Sequence, residues 1–154
     1  MNLPDHKSIA GLLCGLILMT ASCSPPDSSQ MQLNLTDGVW NKYNILELTL
    51  PVPDTSARYN AWLDIRVTAQ YGYSYLSVIV ARPGRRDTLW LPLNPDRAIH
   101  SGHFLDYRFS VDTLGFPANQ SFYQWRLAHN MPEQTLPGIV TIGLLMKKQR
   151  NGQK

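Results

Sequence analysis

The sequence predicts an all-β fold: an antiparallel β-sandwich of about seven strands, Ig-like or jelly-roll-like, behind a signal peptide and a tether. Three observations predict it. Apolar residues recur at every second position in segment after segment, which is the period of a strand with one buried face. No segment sustains a helical period. Eleven prolines and ten glycines are spread along the 154 residues rather than massed, as in a loop-rich β domain. With 44% hydrophobic residues, the chain is long and apolar enough for one real core.

The first segment reads as an address. Ile9 to Met19 is an apolar run, too short to span a bilayer and right for the core of a signal peptide. Thr20-Ala21-Ser22-Cys23 follows it, and small residues before a cysteine resemble the lipobox of bacterial lipoproteins. In that class the chain is cut before the cysteine, whose thiol carries diacylglycerol. This gives residues 1–22 as signal peptide, with Cys23 as the lipidated (palmitate-type) residue. Two acyl chains hold a protein to a membrane where one holds it only marginally. Ser24 follows, not the aspartate that marks inner-membrane retention, so the outer membrane is favoured. Asp27 is the one nearby acid, which favours the periplasmic face over the cell surface. The only other cysteine, Cys14, lies inside the apolar run, so no disulfide framework is available.

Residues 23–37 are polar, with Pro25-Pro26, and read as a tether. The sandwich is expected over 38–148 and a polar tail over 149–154. Asp37-Gly38 turns the chain before Trp40. Leu46, Leu48 and Leu50 make a first strand, ended by Pro51 and Pro53. Arg58 to Pro83 reads as a hairpin: Tyr59, Ala61, Leu63, Ile65 and Val67 on one face, then a turn at Gln70-Tyr71-Gly72-Tyr73 with Gly72 at positive φ, then a strand apolar on both sides. Arg82-Pro83-Gly84-Arg85 is the next turn. Leu89, Leu91 and Leu93 share a strand face, with Thr88 and Trp90 opposite. Asn94 to His103 is an unpatterned connection. Tyr107, Phe109, Val111 and Thr113 alternate with Arg108, Ser110 and Asp112. Tyr123, Trp125 and Leu127 form one face of another strand, and Val140, Ile142 and Leu144 one face of the last.

Composition narrows the function classes. Net charge is +3, with 16% charged residues, and no nucleic-acid motif is present. The basic residues gather at Arg82, Arg85 and Arg86 and again at Lys147, Lys148, Arg150 and Lys154. Such runs are solvated faces or contacts for anionic headgroups. No G-x-S-x-G, H-E-x-x-H or P-loop occurs. His100 and His103 share a loop with Asp106 nearby but lack cysteine partners for a metal, and His129 ends a strand. The expectation is therefore no enzyme, no cofactor and no metal. Tyr71, Tyr73 and Tyr75, with Trp62 and Trp90, are either a second packing face or an exposed patch for a sugar or a protein. Asp64 and Arg66 stand outward beside them, as a buried pair that fixes register or as a partner-facing patch.

Several stretches together carry a resemblance. They are the Cys23 motif; Asp37-Gly38-Val39-Trp40; Tyr59…Leu63-Asp64-Ile65-Arg66…Tyr71-Gly72-Tyr73-Ser74-Tyr75-Leu76; Asp87-Thr88-Leu89…Leu91-Pro92-Leu93; and Met131…Leu136-Pro137-Gly138-Ile139…Ile142-Gly143-Leu144. In order, spacing and length the chain resembles the gliding-motility lipoprotein GldH family of Bacteroidetes. It departs from the family's pattern in Asn94–His103 and at Asn130. The resemblance implies an accessory, lipid-anchored component of the gliding and type IX secretion-associated envelope machinery. It brings no catalytic residues. Protein–protein binding is the leading reading of how it acts, with Asp64, Arg66, Tyr71, Tyr73 and Tyr75, taken from the residues themselves, as the candidate partner-binding set. A glycan-binding surface lipoprotein using the aromatic patch is the alternative. Asp87-Thr88-Leu89 and Asp112-Thr113-Leu114 resemble an O-glycosylation signal of Bacteroidetes, with Thr88 and Thr113 as acceptors.

Overall fold

A strand with one apolar face needs a second layer to cover it, and here two sheets cover each other. The computed structural model describes residues 26–149. The strands are β1 Ser28–Asn34, β2 Val39–Asn41, β3 Leu46–Pro51, β4 Arg58–Thr68, β5 Tyr75–Arg82, β6 Arg85–Pro92, β7 Ile99–Ser101, β8 Phe104–Pro117, β9 Phe122–His129, β10 Thr135–Pro137 and β11 Ile139–Lys148. One sheet runs β1-β11-β4-β8-β7 and the other β3-β9-β5-β6, all antiparallel. Setting aside the short β2, β7 and β10, the eight remaining strands have the order of a jelly roll, 1-8-3-6 over 2-7-4-5. Of the two sandwich types expected, the connectivity selects this one.

The inner faces are those the alternation marks. Leu63, Ile65, Ile142 and Leu144 come from the five-stranded sheet, and Leu48, Leu76, Val78, Trp125 and Leu127 from the other; all are buried. The ribbon β2–β10 closes one end of this core with Trp40 opposite Leu136, both fully buried.

Four expectations are corrected. First, the tether over 23–37 stops short, because Ser28–Asn34 is a strand paired with β11 and turns Met31 and Leu33 towards the core. Second, Arg58 to Pro83 is not a hairpin. β4 and β5 lie in opposite sheets, joined by an arch over residues 69–74. Gly72 is not among the residues with positive φ, since a crossing of this length needs no tight reversal. Third, the faces of β8 and β11 change phase at bulges. The β4–β8 register shifts around Ala61, so Asp112 takes the inward slot opposite Ala61. In β11 a shift between Ile139 and Thr141 buries Ile139 rather than Val140. Fourth, the strands are more numerous than the seven expected, the additions being β1 and the three-residue β2, β7 and β10.

Candidate functional site

Both ends of the sandwich and both outer faces hold residues singled out by the sequence. On the outer face of the five-stranded sheet, the antiparallel register sets Asp64 opposite Arg108 and Arg66 opposite Asp106. Each pair is bidentate. Arg108 donates to the two Asp64 oxygens at 2.6 and 2.8 Å, and Arg66 to those of Asp106 at the same two distances. Asp64 and Arg66 therefore do not pair with each other. Each is held across the strands, in a checkerboard of alternating charge that favours one register. The arginines stay half in solvent, so each pair contributes less than about 1 kcal/mol. Hydrogen bonding to its carboxylate partner holds each guanidinium above its ordinary pKa.

The tyrosines meet at the end closed by the β2–β10 ribbon. Tyr71 is only 8% exposed, and its hydroxyl donates to the Tyr75 carbonyl at 2.7 Å. Burial pushes its phenol above the ordinary pKa. Tyr71 is thus a plug for the arch, and its place in a binding surface is corrected. Tyr73 and Tyr75 are half-buried. The nearby Glu133 carboxylate raises the pKa of the Tyr73 phenol, and the phenol in turn lowers that of the acid. The three rings follow one another edge-on or tilted, at 5.7 and 6.2 Å, rather than as a flat platform. Tyr75 then stacks on Trp90 at 3.8 Å and 12°. Trp90 is 64% exposed. Beside it on the same outer face lie Ile79 and Ala128, paired across β5 and β9, with exposed Ile45 close to both. This apolar strip is not visible in the sequence as a unit, because its residues come from segments far apart in the chain.

His129 lies beneath that end. It is buried, meets Trp40 edge-on at 5.5 Å, and accepts the Met131 amide at Nδ1. Nε2 is buried and has no hydrogen-bond partner among the described residues. Desolvation, then the nearby Lys42 charge, holds its pKa below the ordinary 6.5. The folded state thus keeps a neutral ring where the unfolded chain takes up a proton. Stability is fully present above pH 6.5 and is lost as pH falls from there towards the folded-state pKa. The unfolding midpoint is expected to drop between pH 7.5 and about 5, and less steeply in His129→Gln. Equal pH slopes for the two proteins in urea titrations would refute this assignment.

His100 lies in exposed β7 with its Nε2 3.3 Å from the Pro95 carbonyl, while His103 is exposed in the turn before β8. Among the described residues no group of three or more His, Cys, Asp or Glu is placed to hold a metal ion. Thr88 is exposed on β6. Cys23 and the signal peptide lie outside the described residues, as does the side chain of Thr113.

A family model described as GldH lipoprotein matches residues 29–146. Among curated proteins none matches the chain. Among solved structures, the mosquito-larvicidal Cry4Aa toxin of Bacillus thuringiensis is similar, with TM-score 0.51 and 11% identity over 80% of this chain. Latent PorU of Porphyromonas gingivalis gives 0.46 and 9% over 86%, and the PRD1 vertex protein P5 gives 0.46 and 8% over 82%. The chain spans 24% of the toxin, 14% of PorU and 99% of P5. At such identity the likeness to the toxin is one of fold alone.

Proposed function

Because the chain belongs to the GldH lipoprotein family, we propose that it is an accessory component of the gliding motility and type IX secretion-associated envelope machinery and works by binding, not turnover. Cys23 carries the lipid and holds the protein in the outer membrane, with the domain on the periplasmic side. The observation that carries this reading is the extent of the match. It runs from β1 into β11, so it concerns the whole sandwich rather than one short motif.

The partner surface is the strip around Trp90. An exposed tryptophan stacked on a half-buried tyrosine, with Ile45, Ile79 and Ala128 alongside, has the composition of a protein hot spot. The Asp64–Arg108 and Arg66–Asp106 pairs satisfy each other and supply orientation more than affinity. The edge-on tyrosines do not offer the flat stacking surface a sugar ring needs, so the glycan reading stands second.

Two variants test this. Cys23→Ala is expected to leave the membrane fraction. Trp90→Ala is expected to remain there with unchanged thermal stability, yet to lose partner affinity about 30-fold, a hot-spot loss of about 2 kcal/mol. Detergent capture of the wild type that recovers no gliding, secretion or outer-membrane assembly protein would overturn the reading.

A further inference from the structure

The two basic runs, far apart in the sequence, come together at the end of the sandwich opposite the tyrosines. β1 starts there at Ser28 beside Lys147, β5 turns into β6 there through Arg82 and Arg85, and β8 leaves and β9 enters there. Contacts tie the end together. Arg82 and Arg85 both approach Asp112, at 2.7 and 3.8 Å, Arg58 donates to the Gly115 carbonyl, and Lys148 reaches Asp54 at 2.7 Å. Arg58, Arg86 and Lys147 are exposed, and among the described residues none of the three forms an ion pair. Two large apolar side chains project into solvent at the same end: Leu114, 86% exposed at the bulged end of β8, and Phe122, 62% exposed at the start of β9.

The chain itself says what lies opposite this end. Only Ser24, Pro25, Pro26 and Asp27 separate Cys23 from Ser28. Even fully extended, that span cannot exceed roughly 18 Å. Given the reading of Cys23 as the acylated residue, on which this inference rests, this end is held within that distance of the lipid.

We infer that this end is a bilayer-contacting surface for anionic phospholipid. Leu114 and Phe122 enter the boundary between headgroups and acyl chains, and Arg58, Arg86 and Lys147 meet the phosphates. Lipid anchor, apolar tips and cations act at one end, so the sandwich stands on the membrane with its tyrosine end turned away.

The test uses the full lipidated protein in vesicles of phosphatidylethanolamine and phosphatidylglycerol. Cys14 and Cys23 are the only cysteines; the first is removed with the signal peptide and the second carries lipid. Leu114→Cys therefore supplies one free thiol for an environment-sensitive dye, and Tyr43→Cys, exposed at the far end, supplies the control. The expected result is a blue shift at 114, with quenching by spin-labelled lipid, and neither at 43. The shift at 114 is expected to shrink in phosphatidylcholine vesicles and at high salt. Protein that floats with the vesicles while both dyes report water would overturn the inference and leave the anchor intact. Protein that does not float, with Cys23 open to maleimide, would remove the anchor reading and this inference with it.

Discussion

Replacing Arg82 with methionine is expected to lower the free energy of unfolding by about 3–5 kcal/mol. Arg82 on β5 bonds Asp112 on β8 at 2.7 Å, from one sheet to the other, with side chains 11% and 7% exposed. Its guanidinium also lies over Phe116 at 4.5 Å and near Trp125 at 5.7 Å. The methionine fills similar space but leaves the buried carboxylate with only the more distant and half-exposed Arg85, at 3.8 Å, as a cation. Asp112 still accepts the Gly115 amide at 3.0 Å, which is too little to offset its desolvation. The double variant Arg82→Met with Asp112→Asn keeps that acceptor and removes the stranded charge, so most of the loss should return. Urea unfolding of the single variants and the double one measures the cycle. A loss below about 1 kcal/mol for Arg82→Met would mean the pair behaves as a surface pair.

Gly138→Ala is expected to cost about 3 kcal/mol or more, combining backbone strain with overpacking. Gly138 sits at φ +89°, and an added Cβ would stand 2.3 Å from the Tyr71 amide nitrogen and 2.8 Å from the Gln70 carbonyl carbon. Backbone atoms there cannot swing aside as a side chain can. Gly138 also accepts the Thr68 amide and donates to the Gly38 carbonyl, both at 2.8 Å, so the arch, the ribbon and the turn after β1 meet on this residue. Gly102→Ala is the matched control. It has φ +62° but open space around it, so only strain of about 1 kcal/mol applies. Thermal melts in which the two variants shift equally would refute the steric part.

Much of the fold was legible because burial writes itself into alternation. Tyr59 to Val67 and Tyr123 to Leu127 show their inner faces directly, and the structure buries them. What escaped depends on pairing between distant segments. β1 carries the right alternation in Met31 and Leu33, but an edge strand with two apolar residues looks like a polar linker until its partner is known. The bulges hide Asp112 and Ile139 because one extra residue inverts a strand's faces without altering its composition. Likewise β4 followed by β5 reads the same whether the chain folds back within a sheet or crosses to the other. In the candidate site, the nearness of Tyr71, Tyr73 and Tyr75 follows from their spacing. The partners of Asp64 and Arg66 do not, because they lie on β8 and are set by its register.

The pairing of β1 with β11 has a kinetic consequence. Among the described residues the first strand lies beside the last, and β11 also separates β1 from β4. A chain that emerges N-terminus first therefore leaves β1 unpaired, and β4 short of one neighbour, until β11 is made. The five-stranded sheet cannot close before β11 is made, and its closure carries the entropy of a loop almost as long as the domain. The facing edges of β1 and β4 stay open until Ile139–Lys148 arrives to seal them.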